Sequence, residues 1–121
     1  MARVAALVPD LLFGSKIVSM LEQAGHQVIL CSQEDDAWSQ AEQAQVLVVD
    51  LTSDAVDGAT LVDSMRSAGE LKGVRTLAFY SHVEADTRRR AEEAGFDLVV
   101  ARSRMAREGA ALVAGLLGDD D

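Results

Sequence analysis

Five short apolar runs alternate along the chain with five amphipathic segments. The runs predicted as β-strands are Arg3–Val8, Gln27–Cys31, Val46–Asp50, Val74–Phe79 and Asp97–Ala101. Runs such as Leu47-Val48-Val49 do not alternate polar with apolar residues, a pattern typical of strands covered by helices on both faces. The chain is therefore predicted to form a parallel sheet between two layers of helices.

The predicted helices follow the strands one by one. They are Leu11–Ala24, Asp35–Gln43, Gly58–Ala68, Glu84–Ala94 and Arg104–Leu117, with Ser103 as the predicted cap of the last. Short connections in such an alternation imply right-handed crossovers, with either the flavodoxin-like strand order 2-1-3-4-5 or a truncated Rossmann half. The first strand is not followed by a Gly-x-Gly-x-x-Gly loop, which argues against the dinucleotide-binding fold.

Length and composition predict one domain, residues 1–118, followed by a solvated acidic tail, 119–121. The net charge of −9 disfavours nonspecific binding to nucleic acid or anionic lipid. Cys31 is the single cysteine, which fits a reducing compartment, and we expect it to be a small buried residue at a strand end. No apolar run reaches the roughly 18 residues of a spanning helix, and the amino terminus lacks a signal-peptide pattern. A cytoplasmic protein is expected.

Asp50 is the best candidate for a functional residue. It ends the third predicted strand, and open α/β sheets place their ligand chemistry at the carboxyl ends of strands. In the order 2-1-3-4-5 the ends of strands one, three and five converge, so Asp10, Asp50 and Arg102 are predicted to surround one cleft. Two interpretations are open there: a functional site in which Arg102 is the counter-charge of Asp50, or a purely structural Asp50–Arg102 ion pair.

These spacings together resemble the receiver (response-regulator) domain family of two-component signalling. An Asp-Gly pair, Asp57-Gly58, follows Asp50 by seven residues. The segments 21–26 and 90–97 are similar to the ends of the family's first and fourth helices. The resemblance covers nearly the whole chain and implies a flavodoxin-like, doubly wound three-layer sandwich that works in bacterial signal transduction.

The resemblance also implies site residues. Asp50 would accept a phosphoryl group, with Mg²⁺ held by Asp50, by an acidic pair closing the first strand and by the carbonyl of Thr52. The acidic pair falls on Val8 and Pro9, whose side chains cannot bind a metal. Asp10, one position late, could join Asp50 as a ligand only in a remodelled loop. The family's hydroxyl residue falls on Tyr80, or on Ser81 with an offset, and its lysine falls on Arg102.

Arginines recur near the end of the chain, where residues 82–108 hold six arginines and six acids. The resemblance implies that helix four, strand five and helix five form a partner and homodimer surface, for which the predicted residues are Arg88, Arg89, Arg104 and Arg107. The alternative is a solvated face with local Glu–Arg pairs, each worth a few tenths of a kcal/mol.

Three other motifs give weaker evidence of a function. Ser81-His82 has no third residue to orient a catalytic base, so His82 is expected at the rim of the cleft. His26 is expected to face solvent before the second strand. Gly14-Ser15-Lys16 lacks the first glycine of a phosphate-binding loop.

The leading prediction is a stand-alone atypical receiver, or pseudo-receiver. It would not be an enzyme, would need no cofactor and would bind a signalling kinase or a downstream effector, with phosphorylation of Asp50 weak or absent. The alternative is a working Mg²⁺-dependent phosphorelay receiver. A small enzyme or nucleotide-binding protein using the strand-end cleft is the third class.

Overall fold

The structure, a computed structural model, describes residues 2–53, 55–81 and 85–118. The predicted acidic tail, His82 and Glu84 lie outside the described residues.

Five strands and five helices alternate along the described chain. The strands are β1 (Arg3–Leu7), β2 (Gln27–Cys31), β3 (Val46–Asp50), β4 (Arg75–Tyr80) and β5 (Leu98–Ala101). The helices are α1 (Leu11–Gln23), α2 (Glu34–Ala41), α3 (Gly58–Ser67), α4 (Ala85–Ala94) and α5 (Arg102–Leu117). Among the described residues, none of these helices has the length and apolar character needed to cross a membrane.

The strands form one parallel sheet in the order β2-β1-β3-β4-β5, which confirms the predicted flavodoxin-like topology. The register places Leu7 beside Val49 and Asp50 beside Phe79. This order puts the carboxyl ends of β1 and β4 on either side of the end of β3.

Each face of the sheet has its own apolar core. On one face, α1 and α5 cover side chains that include Val4, Val48 and Phe79. On the other, α2, α3 and α4 cover a cluster that includes Leu7 and Val49. All five residues of β3 are buried, which explains why this strand is a continuous apolar run ending in a single carboxylate.

The structure differs from the predicted boundaries at β5 and α5. β5 begins at Leu98 because the Asp97 carboxylate accepts the Thr76 N–H at 2.8 Å, while the Asp97 N–H donates to the Thr76 hydroxyl at 3.0 Å. α5 begins at Arg102, and its N-cap is Ala101, whose side chain makes no capping bond. The predicted Ser103 cap is therefore wrong.

Two smaller predictions have opposite outcomes. His26 is buried rather than solvent-facing, because its Nδ1 accepts the N–H of Ala2 at 3.2 Å. Cys31 is buried at the end of β2, as predicted, and desolvation by burial, aided by the charge of Asp36, raises the pKa of its thiol.

Gly58 allows α3 to pack directly on β3. A Cβ atom on Gly58 would lie 2.3 Å from Cγ1 of Val49. We expect Gly58→Ala to lower the free energy of unfolding by about 1–3 kcal/mol, because the buried strand cannot move away without repacking. Urea denaturation followed by circular dichroism measures the loss.

Gly115→Ala is the matched control, because Gly115 lies in α5 with no atom within 4 Å of an added Cβ. There the same substitution should raise the free energy of unfolding, by up to about 1 kcal/mol. Equal effects at the two sites would contradict the packing role of Gly58.

Candidate functional site

Asp50, the last residue of β3, is fully buried. Its neighbours across the sheet are Phe79 on β4 and Val8, which follows β1, and both are fully buried apolar residues. Because side chains alternate along a strand, Asp50 points to the same face as Val48, the face covered by α1 and α5. The carboxylate therefore lies at the top of an apolar core.

The two oxygens of Asp50 have different surroundings. Oδ1 accepts two hydrogen bonds from Thr52, from the backbone N–H at 2.7 Å and from the hydroxyl at 2.5 Å. Oδ2 is buried and has no hydrogen-bond partner among the described residues. Thr52 thus fixes the turn after β3, while Oδ2 carries the desolvation penalty of an unpaired polar atom.

Asp10 caps α1. Its Oδ1 accepts the N–H groups of Leu12 at 3.0 Å and Phe13 at 3.2 Å. Its Oδ2 accepts a hydrogen bond from Arg102 Nη2 at 3.3 Å. The bond from the Phe13 N–H outweighs partial desolvation and, together with Arg102, holds the pKa of Asp10 below its ordinary value of 3.8. Asp10 is thus engaged in helix capping and an ion pair.

Arg102 is held by α1 rather than by Asp50. Besides pairing with Asp10, its guanidinium carbon lies 4.1 Å from the centre of the Phe13 ring, a cation–π geometry. The Phe13 ring in turn packs against Phe79 at 5.2 Å between centroids. The predicted Asp50–Arg102 ion pair is therefore wrong: among the described residues Arg102 has Asp10 as its acidic partner.

Tyr80 and Ser81 lie next to this stack. Tyr80 ends β4 and is buried, while Ser81 is exposed. Both line an open cavity of about 380 Å³, together with Phe13, Arg102 and the start of α5. The structure thus places Tyr80, Ser81 and Arg102 around one surface that is mainly aromatic and small-apolar, and the predicted site residues Asp10, Asp50 and Thr52 are not among those that line it.

The side chains at this edge do not fit a Mg²⁺ ion, which takes oxygen ligands in octahedral array. Val8 and Pro9 offer no side-chain oxygen, and Asp10 is occupied by α1 and Arg102. Within residues 2–53, 55–81 and 85–118, no three His, Cys, Asp or Glu side chains are grouped so as to hold a metal. Metal binding by Asp10 and Asp50 would need a different arrangement of the loop after β1, and it stays a prediction.

Asp57 has a role that sequence reasoning missed. It caps α3 by accepting the Thr60 N–H at 3.1 Å and the Thr60 hydroxyl at 2.9 Å. Its own N–H donates to Glu34 Oε1 of α2 at 2.9 Å, and Arg90 of α4 lies 3.4 Å from its carboxylate. The Thr60 N–H is the main cause that holds the pKa of Asp57 below its ordinary value. A capping residue three positions before a threonine was the available signal.

The residues of the predicted partner surface are exposed and locally paired. Arg88 lies 3.5 Å from Glu92, Arg89 lies 2.6 Å from Asp86, and Arg104 lies 3.6 Å from Glu108. Arg107 also approaches Glu108, at 3.8 Å. Such exposed pairs contribute little to stability, so their arginines stay accessible to another protein.

Several solved structures similar to this one are receiver domains of response regulators. The receiver domain of the Francisella response regulator 1452 has a TM-score of 0.84 at 15% identity and covers 100% of both chains. The chemotaxis response regulator CheY4 of Vibrio cholerae has a TM-score of 0.82 at 16% identity and covers 96% of this chain and 98% of its own. The BeF3-activated DrrB receiver domain has a TM-score of 0.83 at 18% identity, with 98% coverage of both.

No protein-family model matches the chain. No curated protein matches it either. At the low identities of the solved structures, the likeness shows the fold alone: this chain has the fold of a response-regulator receiver domain.

The two functions of Asp10 can be separated by mutation. Asp10→Asn keeps a capping oxygen but loses the charge that pairs with Arg102, whereas Asp10→Ala loses both. We expect the urea midpoint at neutral pH to fall from wild type to Asn and further to Ala. Asp63→Asn, on the exposed face of α3, is the control for loss of one negative charge.

The wild-type advantage over Asp10→Asn should depend on pH. Because the folded-state pKa of Asp10 is lowered, its contribution is present above the ordinary value of 3.8 and is lost as the pH falls through the folded-state pKa. Urea midpoints measured from neutral to acidic pH should therefore converge for these two proteins. A constant difference would show that the charge of Asp10 is not what stabilises the fold.

Proposed function

We propose that this chain is a signalling module of receiver fold that acts by binding protein partners, and that Asp50 is phosphorylated weakly or not at all. The fold supports the first part of the proposal, since its solved neighbours are response-regulator receiver domains. The second part is argued from the chemistry around Asp50. In this proposal the chain is not an enzyme and needs no cofactor.

The observation that carries the proposal is the engagement of both acids at the carboxyl edge of the sheet. Oδ1 of Asp50 is bonded to Thr52, the side chain is fully buried, and Asp10 is bonded to α1 and Arg102. Phosphoryl transfer to a carboxylate requires the developing charge to be stabilised by a cation or by aimed donors. Arg102 could supply that charge only by leaving Asp10 and Phe13.

Partner binding would use the outer surface of α4, β5 and α5. Arg88, Arg89, Arg104 and Arg107 lie there, with side chains that are roughly half to two-thirds exposed. Their local acidic partners can be exchanged for acids of another protein at little cost, because each exposed pair is weak. A signalling kinase or a downstream effector with an acidic surface would fit this face, as would a second copy.

One observation favours the alternative, a working Mg²⁺-dependent phosphorelay receiver. Oδ2 of Asp50 is buried and unpaired among the described residues, and such an atom gains most from a ligand. In this alternative the loop after β1 rearranges, Asp10 leaves its capping position, and Asp50 accepts the phosphoryl group.

Acetyl phosphate with Mg²⁺ distinguishes the two functions. We expect the intact mass of the wild-type chain to stay unchanged, as for Asp50→Asn, because the carboxylate is buried and the described residues include no group of three acids or other metal-binding side chains placed to hold the metal. Mg²⁺ with beryllofluoride should also leave the unfolding temperature of both proteins unchanged. A mass increase or a thermal shift that is present in wild type and absent in Asp50→Asn would establish the phosphorelay function.

Binding at the arginine face is tested by affinity purification from native cells. We expect the wild-type chain to enrich a protein that the double variant Arg104→Glu, Arg107→Glu loses, because the reversal replaces attraction with like-charge repulsion. Lys72→Glu changes the charge of an exposed residue next to β4 and should keep the partner. Retention by the double variant, or equal loss with Lys72→Glu, would contradict this face as the binding surface.

A further inference from the structure

β2 is an edge strand that presents an uncharged, partly apolar border to solvent. Its sequence is Gln27-Val28-Ile29-Leu30-Cys31, and it pairs with β1 on one side. Ile29, in the middle of the strand, is 49% exposed. Both faces of the strand are flanked by grooves, of about 540 Å³ beside α1 and about 190 Å³ beside α2.

The register shows which backbone groups of β2 face outward. The Gln27 N–H donates to the Ala2 carbonyl at 2.8 Å, and the Cys31 carbonyl accepts the Val8 N–H at 3.0 Å. In a parallel ladder the residues that bond to one neighbour alternate along the strand. Gln27, Ile29 and Cys31 therefore bond to β1, and the N–H and C=O groups of Val28 and Leu30 point away from the sheet.

As far as the structure describes the chain, this edge lacks the features that usually block strand pairing. Edge strands are protected by lysine, by proline, by bulges or by a covering element. β2 contains none of these residue types, and its register with β1 is unbroken over all five residues. The opposite edge, β5, is shorter and lies between the charged residues Asp97 and Arg102.

We propose that β2 is a homodimer interface, at which two copies of this chain pair antiparallel about a two-fold axis through Ile29. In this register Val28 of one copy lies opposite Leu30 of the other, so the outward groups of these two residues exchange hydrogen bonds at two equivalent positions. Ile29 lies opposite Ile29 at the intervening non-hydrogen-bonded position, where side chains approach most closely. The outward backbone pattern of β2 is thus complementary to itself.

The charges on the α2 side of β2 favour a second copy as the partner. The two-fold axis brings the start of one strand beside the end of the other.

The α2 side of β2 has opposite charges at its two ends. Arg3 lies beside Gln27 at the start of β2, and Asp36 is close enough to Cys31, at the end of the strand, to affect its thiol. Antiparallel pairing therefore brings the basic end of each copy beside the acidic end of the other on this side of the joined sheet. A closed two-fold pair also covers both β2 edges and leaves the α4, β5 and α5 surfaces at the far ends.

Light scattering after size-exclusion chromatography tests the dimer. We expect the wild-type chain to have twice the mass of one chain at high concentration and to dissociate on dilution. Ile29→Lys should weaken the dimer about tenfold or more, because it places like charges opposite each other and removes two apolar side chains from the interface. Leu12→Lys, at a site 88% exposed on α1, is the matched control and should leave the dimer intact.

Amide hydrogen exchange locates the interface without any mutation. The amides of Val28 and Leu30 should exchange slowly in the dimer and rapidly at dilution, while that of Ile29, bonded to β1, stays slow throughout. A monomer at every concentration, a mass that grows beyond two chains, or a dimer whose Val28 and Leu30 amides exchange rapidly would overturn the proposal. A dimer that Ile29→Lys leaves unweakened would overturn it as well. Slow exchange at Val28 and Leu30 only after another protein is added would assign the edge to a foreign strand and also overturn it.

Discussion

The complete burial of β3 governs this structure. A strand with no exposed residue needs helices on both faces, and it needs neighbours on both sides to satisfy its backbone. The two apolar cores and the central position of β3 in the sheet follow from that requirement. The same burial surrounds Asp50, so the one carboxylate of the strand lies between Val8 and Phe79, and Thr52 is the residue bonded to it in the described part of the chain.

Local patterns were sufficient to predict the elements and their order. The apolar runs, their two-sided character and the missing glycine-rich loop led to the observed strand order, and the position of Asp50 at the end of β3 followed from the run that it ends. Tyr80 and Ser81 were assigned to this edge from the resemblance to receiver domains, and the structure places them beside Arg102 around one open cavity.

Side-chain partners far apart in sequence could not be predicted in this way. Two acids, Asp10 and Asp50, lie at the same edge of the sheet as Arg102. Arg102 pairs with Asp10, and its guanidinium also stacks on Phe13, one turn into the helix that Asp10 caps. His26 accepts the N–H of Ala2, and Asp97 accepts the N–H of Thr76. Both hydrogen bonds depend on how far neighbouring strands are offset along their axes. The periodic pattern of apolar residues in a sequence does not determine these offsets.

The stack of Arg102 on Phe13, and of Phe13 on Phe79, joins the outer helix α5 to the strand beside Asp50. A protein that binds α5 best with Arg102 turned outward must remove the guanidinium from the aromatic ring and uncover Phe13. Allosteric coupling is reciprocal, so whatever stabilises the uncovered form would strengthen binding of that protein by the same factor. The displacement of one cation would thus couple the surface of α5 to the aromatic pair beneath it.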